Sequence, residues 1–250
     1  SIGIIESTTW LIGSLLSAAA TGFSVQVAHF IGANDLVKAR QVYRHALICG
    51  VAFSLFVTLI GVGIHSHLPY WLGGGEDIAP NSSRYFLIYS LVLPFVFLYH
   101  ISEMMLKSAG NMHTPSIMAV LICLCDVAFN YLFIYIMKMG VVGAAMGTAL
   151  AYISISLPNL YLSAFRNRLL NFRQDRVPFR WVEEYVRHAC KISIPIAIQN
   201  ILMSGAQIVS TMIVAPLGNI AIAAHSFAIT AESLCYMPGY GIGDAASTLV

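Results

Sequence analysis

The chain has 250 residues, 58 % of them hydrophobic and only 10 % charged, with a net charge of +2. An ordinary globular domain carries roughly 25 % charged residues, so this much apolar surface can be hidden only in a bilayer, where lipid replaces water around the outer faces. The small charge, with no basic stripe between aromatics, excludes a nucleic-acid partner, and Cys49, Cys123, Cys125, Cys190 and Cys235 sit in or beside apolar runs without zinc or disulfide spacing.

The first apolar run, residues 2–31, predicts a helix with Glu6 near its start. Gly32-Ala33-Asn34-Asp35 interrupts it, and Lys38, Arg40 and Arg44 lead into a second span at 41–64. Gly73-Gly74-Gly75 separates this from a third span, 84–107, which contains Pro94 and closes on Glu103 and Lys107 at i, i+4 spacing. Gly110-Asn111 and Pro115 mark the entry to a fourth span at 115–138. The fifth, 142–165, opens on Gly143 and Gly147, a small-xxx-small surface suited to close helix packing.

Residues 167–188 form the one long polar connection. Its second half sets Val182, Tyr185, Val186 and Ala189 on one helical face and Glu183, Glu184 and Arg187 opposite. That pattern suits an interfacial amphipathic helix with Phe179 and Trp181 at headgroup depth, and a linker between two bundles is equally compatible. Spans at 189–214 and 219–250 follow, with Pro195 and Pro238 inside them. Such prolines are tolerated in membrane helices when neighbours satisfy the freed carbonyls. Both ends of the chain lie inside apolar runs, so a piece of a longer protein is expected.

Charge orients the seven spans. Eleven Lys or Arg fall in the connections after the first, third and fifth spans, and only Arg84 and Lys138 in the alternate ones. The positive-inside rule then places residue 1 outside, residue 250 inside and the 167–188 connection in the cytoplasm. The last span also echoes the first: Ser14-Leu15 precedes Gly22 by the interval at which Ser233-Leu234 precedes Gly241. Two similar bundles joined by a basic linker follow the repeat logic of secondary transporters.

Four strings resemble one family. "GFSVQVAHFIGANDLVKAR" (Gly22–Arg40) is similar to the second-helix exit of the multidrug and toxic compound extrusion (MATE) transporters, and "LKSAGNMHTP" (Leu106–Pro115) to the turn after their fourth helix. "MGVVGAAMGTAL" (Met139–Leu150) resembles the start of their sixth helix, and "PLGNIAIAAHSFAI" (Pro216–Ile229) the entry to their eighth. The resemblance implies an all-α polytopic bundle, about seven helices of a twelve-helix, two-lobed antiporter. Residues 1–166 would be N-terminal lobe lacking its first helix, 167–188 the cytoplasmic linker, and 189–250 the start of the C-terminal lobe. It further implies a monomer in the plasma (inner) membrane, without a resident cofactor or metal, exporting hydrophobic, often cationic small molecules against protons or sodium ions as the lobes rock.

Ionisable groups inside hydrocarbon cost on the order of 2.5–3.5 kcal/mol on insertion scales, so each needs a reason. Asp126 lies near the middle of the fourth span and Asn130 follows on the same face. The pair could hold a proton or offer hard oxygen ligands to a small cation, or simply tie helices together. One branch of the family places Asn, then Asp, at this spacing with a sixth-helix Thr around the cation site; here the order is Asp then Asn, and Thr148 matches the Thr. Glu232, mid-span in the last helix, together with Gln199 and Asn200 in the helix before it, are expected substrate-cavity residues, with interhelical hydrogen bonding as the simpler role. Glu6 is placed in an outward vestibule. His29 and His100 could shuttle protons, though interface histidines are commoner. Two other functions compete: a lipid-linked precursor flippase, disfavoured by the lack of mid-span Lys or Arg, and a seven-helix receptor. No nucleophile–base set or metal-ligand spacing suggests an enzyme.

Overall fold

The computed structural model describes residues 2–73, 78–174 and 178–249. Gly74 and Gly75 of the second break, Arg176 of the basic connection and Val250 lie outside them. Eight helices follow in order: α1 (Ile2–Gly32), α2 (Leu36–Ile64), α3 (Leu68–Trp71), α4 (Ala79–Ser108), α5 (His113–Asn130), α6 (Gly140–Tyr161), α7 (Glu183–Val214) and α8 (Asn219–Leu249). All but the one-turn α3 are long and apolar enough to cross a membrane, so the seven expected spans are present. α5 and α6 run on as π-helical turns, Tyr131–Ile136 and Leu162–Arg166, which hydropathy alone does not reveal.

Several helices begin earlier than their apolar runs. An apolar run marks the hydrocarbon, whereas backbone hydrogen bonding continues until a cap ends it. Asp35 caps α2, its Oδ1 accepting from the Lys38 N–H at 3.2 Å. α4 starts with a proline in its first turn, where a missing N–H costs nothing. At the entry to α5 the Asn111 Oδ1 accepts from the Thr114 N–H at 3.1 Å. α7 is unbroken from Glu183 to Val214, so the amphipathic segment is not a separate helix but continues directly into the apolar run that follows it.

The packed centre lies among α1, α2, α4 and α6, where Leu16, Tyr43, Leu93, Phe97 and Met105 are completely buried. α5 lies against α6 and turns Val120, Leu124, Val127 and Tyr135 outward, acceptable where the solvent is lipid. α7 runs along α1. Gly22 makes that possible, because a Cβ there would collide with Ser193 and Ala189. Gln26 Nε2 donates to the Tyr185 carbonyl at 3.0 Å, Asn200 Nδ2 to the Ser14 carbonyl at 3.1 Å, and the Ser7 and Thr211 hydroxyls meet at 3.3 Å.

The polar connection is fastened to the start of α2. Arg40 Nε donates to the Leu169 carbonyl at 3.0 Å and Tyr43 Oη meets Ser163 Oγ at 2.6 Å. The Arg44 guanidinium donates to the Phe172 carbonyl at 3.3 Å and lies 5.2 Å from the centre of that ring. His45 is completely buried; its Nδ1 is 2.7 Å from the Gln41 carbonyl, and its Nε2 receives the Val182 N–H at 2.9 Å. A carbonyl can only accept, so Nδ1 carries the hydrogen and Nε2 is free to accept, which fixes a neutral tautomer. Phe179, Trp181 and Tyr185 surround the imidazole at 4.9, 5.0 and 5.4 Å between centroids. The two aromatics expected at headgroup depth thus also build a box for a histidine.

Candidate functional site

Asp126 and Asn130 lie one turn apart on α5, and Asn130 Nδ2 donates to Asp126 Oδ2 at 3.1 Å. The remaining oxygens, Asp126 Oδ1 and Asn130 Oδ1, are both buried without a hydrogen-bond partner. Such acceptors are uncommon in a settled interior and call for an explanation. Immediately beyond Asn130 the helix changes to the π form, a feature frequent at functional sites.

Glycine brings α6 against this pair. A Cβ on Gly147 would collide with the Asn130 side chain, and one on Gly143 would sit 3.0 Å from the Phe133 backbone. The small-residue surface read from the sequence therefore does pack closely, and against the turn that carries Asn130. Thr148 follows Gly147 and is half-buried, yet no described hydrogen bond joins it to Asp126 or Asn130. The Asp126 carboxylate is within electrostatic reach of Tyr152 on α6 and Tyr85 on α4, and Tyr85 is also within reach of Glu6 on α1.

A second feature is a cavity of about 300 Å³ between α1, α7 and α8. Glu6 and Trp10 of α1, Gln207 and Thr211 of α7, and Thr230 and Tyr236 of α8 are among its walls. The three residues expected to line a substrate cavity are elsewhere. Asn200 is spent on the α1 backbone, Gln199 is exposed on α7, and Glu232 is exposed on α8 between two wall residues, Thr230 and Ser233. The walls were nonetheless detectable: Ser226, Thr230 and Ser233 recur at helical spacing along an apolar helix, as do Ser204, Gln207 and Thr211.

The remaining polar groups have plainer surroundings. Lys107 Nζ pairs with Glu103 Oε1 at 2.8 Å, as their spacing predicts, and His100 Nδ1 is 4.0 Å from the same carboxylate. His29 is exposed and lines, with Lys38 and His188, a hollow of about 480 Å³ at the start of α7.

The family model described as MatE matches residues 1–132 and 195–250. The chain belongs to the MatE family. It is 27 % identical over its whole length to a probable multidrug resistance protein NorM of Thermotoga maritima, of which it covers 54 %. It is 24 % identical to the multidrug export protein MepA of Staphylococcus saprophyticus, over 82 % of this chain and 45 % of that one. The chain thus spans about half the length of the curated relatives it matches. A solved structure described as the inward-facing conformation of a multidrug resistance MATE family transporter superposes with a TM-score of 0.86 at 21 % identity, over 94 % of this chain and 54 % of that one. The shared architecture is the all-α MATE bundle. This MatE chain is therefore a multi-pass membrane protein of a transporter family and not an enzyme, and the receptor reading falls away.

Proposed function

We propose that this MatE chain belongs to an antiporter that exports hydrophobic, often cationic small molecules against a proton or sodium gradient, by alternating access of two lobes. Residues 1–166 are read as N-terminal-lobe helices, 167–188 as the cytoplasmic linker and 189–250 as the start of the second lobe, in a monomer of the plasma (inner) membrane. The observation that carries the reading is the Asp126–Asn130 pair, whose two buried oxygens have no donor. A proton on the carboxyl, or a small hard cation between oxygen ligands, would satisfy them. Antiport needs a group whose occupancy by the driving ion changes which lobe arrangement is favoured. A carboxylate among apolar helices does so by switching between charged and neutralised forms, with the α5–α6 contact at Gly147 next to the switch. Thr148 is the nearby hydroxyl that a change of packing would bring into use.

Asp126→Asn in the full-length protein, reconstituted into proteoliposomes, is the test. The amide keeps shape and hydrogen bonding but cannot titrate. Gradient-driven export should be lost while insertion and folding persist, and Asn130→Ala should weaken coupling less. Export by Asp126→Asn near the wild-type rate would remove the coupling site from α5. A flippase for lipid-linked phosphates finds less support: the described walls of the cavity between α1, α7 and α8 carry a carboxylate and no Lys or Arg to meet a phosphate.

A further inference from the structure

We infer that the hollow between α1, α2 and α7 seats one acyl chain of an acidic phospholipid, whose phosphate is met at the rim by Arg180 and Lys191. Such a lipid is a partner of the multi-pass chain whatever the chain exports.

The hollow has a volume of about 320 Å³. It exists because much of its wall is made of short side chains. Gly22 lets α7 onto α1 at Ala189 and Ser193, and Ala19, Gly50 and Ala197 leave space that a larger residue would fill. Apart from the Ser193 hydroxyl and the thiols of Cys49 and Cys190, every wall side chain is hydrocarbon. Two wall residues, Phe53 and Ile194, are exposed, so the hollow opens on an outer surface of the spans. Wall atoms beside an empty gap lose their dispersion contacts, and in a bilayer the group at hand to restore them is a lipid chain.

One end of the hollow meets the clasp around His45. Cys49 follows His45 by one turn on α2, and Val186 follows Val182 by one turn at the start of α7. His45 and Val182 are themselves joined through Nε2 at 2.9 Å. The rings of the clasp therefore stand at the end of the hollow on the side of the basic connection. Phe179 and Trp181 pack on His45 and remain 41 % and 54 % exposed, the half-covered setting that aromatic rings take at the level of lipid headgroups. Arg180 stands between them in the chain, and Lys191 follows the wall residue Cys190. Both are exposed, and among the described residues neither has a hydrogen bond or an ion pair. The neighbouring charges are engaged elsewhere: Arg187 pairs with Glu183 at 3.1 Å, and Glu184 lines the separate hollow that holds His29 and Lys38.

Lys191 lies about two turns into α7, where its stem can run along apolar surface while its ammonium reaches the headgroups. Two unpaired cations beside an apolar hollow complement a molecule with an anionic head and a hydrocarbon tail, since basic groups near a leaflet attract acidic lipids. A free phosphate would leave the hollow empty, and a neutral apolar compound would leave the cations unused. A chain seated there touches α1, α2 and α7 at once and adds to the contact between α7 and the earlier helices.

The test is native mass spectrometry of the full-length protein in detergent, titrated with phosphatidylglycerol or with phosphatidylcholine of the same chains. Wild type should retain phosphatidylglycerol at a concentration about tenfold lower than phosphatidylcholine. The double variant Arg180→Gln, Lys191→Gln should bring the two lipids within about twofold. Cys190→Phe, which fills the hollow, should lose both. Glycerol 3-phosphate, a headgroup phosphate without chains, should displace neither. Equal retention of the two lipids by wild type, a preference that survives the double variant, or retention untouched by Cys190→Phe overturns the inference. Displacement by glycerol 3-phosphate would mean an anion site without a chain, and overturns it equally. Should Cys190→Phe fail to insert, the unsubstituted protein supplies the check through its own thiols. Saturating phosphatidylglycerol should slow alkylation of Cys190 by N-phenylmaleimide, read by peptide mass, several times more than phosphatidylcholine at the same concentration; equal rates with the two lipids overturn the inference.

Discussion

The clasp around His45 and the pair at Asp126 are both polar clusters in apolar helices, yet they follow opposite rules. At His45 each ring nitrogen has one partner, Gln41 on one side and Val182 on the other, and three aromatic rings close the box. At Asp126 one hydrogen bond is made within the pair, and an oxygen on each residue is left without a donor. An unpaired buried polar atom costs about 1–3 kcal/mol, so a cluster that only holds helices together is expected to close its bonds. The clasp does; the pair does not. Saturation marks the part that fixes where the connection and α7 begin, and unsaturation marks the part with capacity left for a ligand.

Substitution at Gly147 should break the contrast most severely. A leucine there collides with Asn130, and overpacking of a tight contact costs typically about 1–3 kcal/mol. Gly147→Leu is expected both to lower the thermal unfolding midpoint in detergent and to abolish gradient-driven export. A variant with wild-type stability and export would mean that the α5–α6 contact gives way without consequence, and that the pair is not held by it.

His45→Ala attacks the saturated side. It leaves the Val182 N–H without its acceptor and removes the ring from its aromatic box, at a cost of about 1–3 kcal/mol. Amide exchange at Val182 and along residues 163–174 should quicken, while dependence of export on Asp126 persists. Export that loses its ion dependence in His45→Ala would show that the clasp belongs to the coupling machinery, and the contrast would collapse.

The smallest effect is expected at Asp35, at the exposed start of α2. The Lys38 side chain, and after it the Lys38 backbone N–H, hold the Asp35 carboxyl below its usual value of 3.8. A depressed carboxyl contributes stability above its unfolded value, and that contribution is lost as pH falls through the folded value. Asp35→Asn keeps an equally good N-cap, so it should change stability little near neutral pH and flatten only the acid limb of the unfolding curve. A large loss at neutral pH would mean that the ion pair, and not the cap, starts α2.

Much of this was legible before any tertiary structure. Seven helices followed from the lengths of apolar runs, and the Glu103–Lys107 and Asp126–Asn130 contacts followed from i, i+4 spacing, since both are set within one helix. Gly143 and Gly147 announced a close contact through their side-chain size, though not which residue they would meet. The π turn after Asn130 was not legible, because a helix of the same apolar residues satisfies its backbone in either register.

By itself the sequence determined the class of fold, the number of spans, the basic and non-basic sides of the bundle and the pairing on α5. Each depends on composition or on neighbours a few residues apart. Only the tertiary structure decided that Glu6 is among the described walls of the cavity between α1, α7 and α8 while Glu232 is outside them, that Asn200 is committed to the Ser14 carbonyl, and that His45 anchors the residues before α7. The reason is the solvent. In water an apolar stripe tells which face of a helix is inside, but lipid is as apolar as a protein core, so hydrophobicity no longer separates the inner face from the outer. Which face of α7 meets α1 is settled by shape and by hydrogen bonds between residues some two hundred positions apart, and no local pattern encodes it.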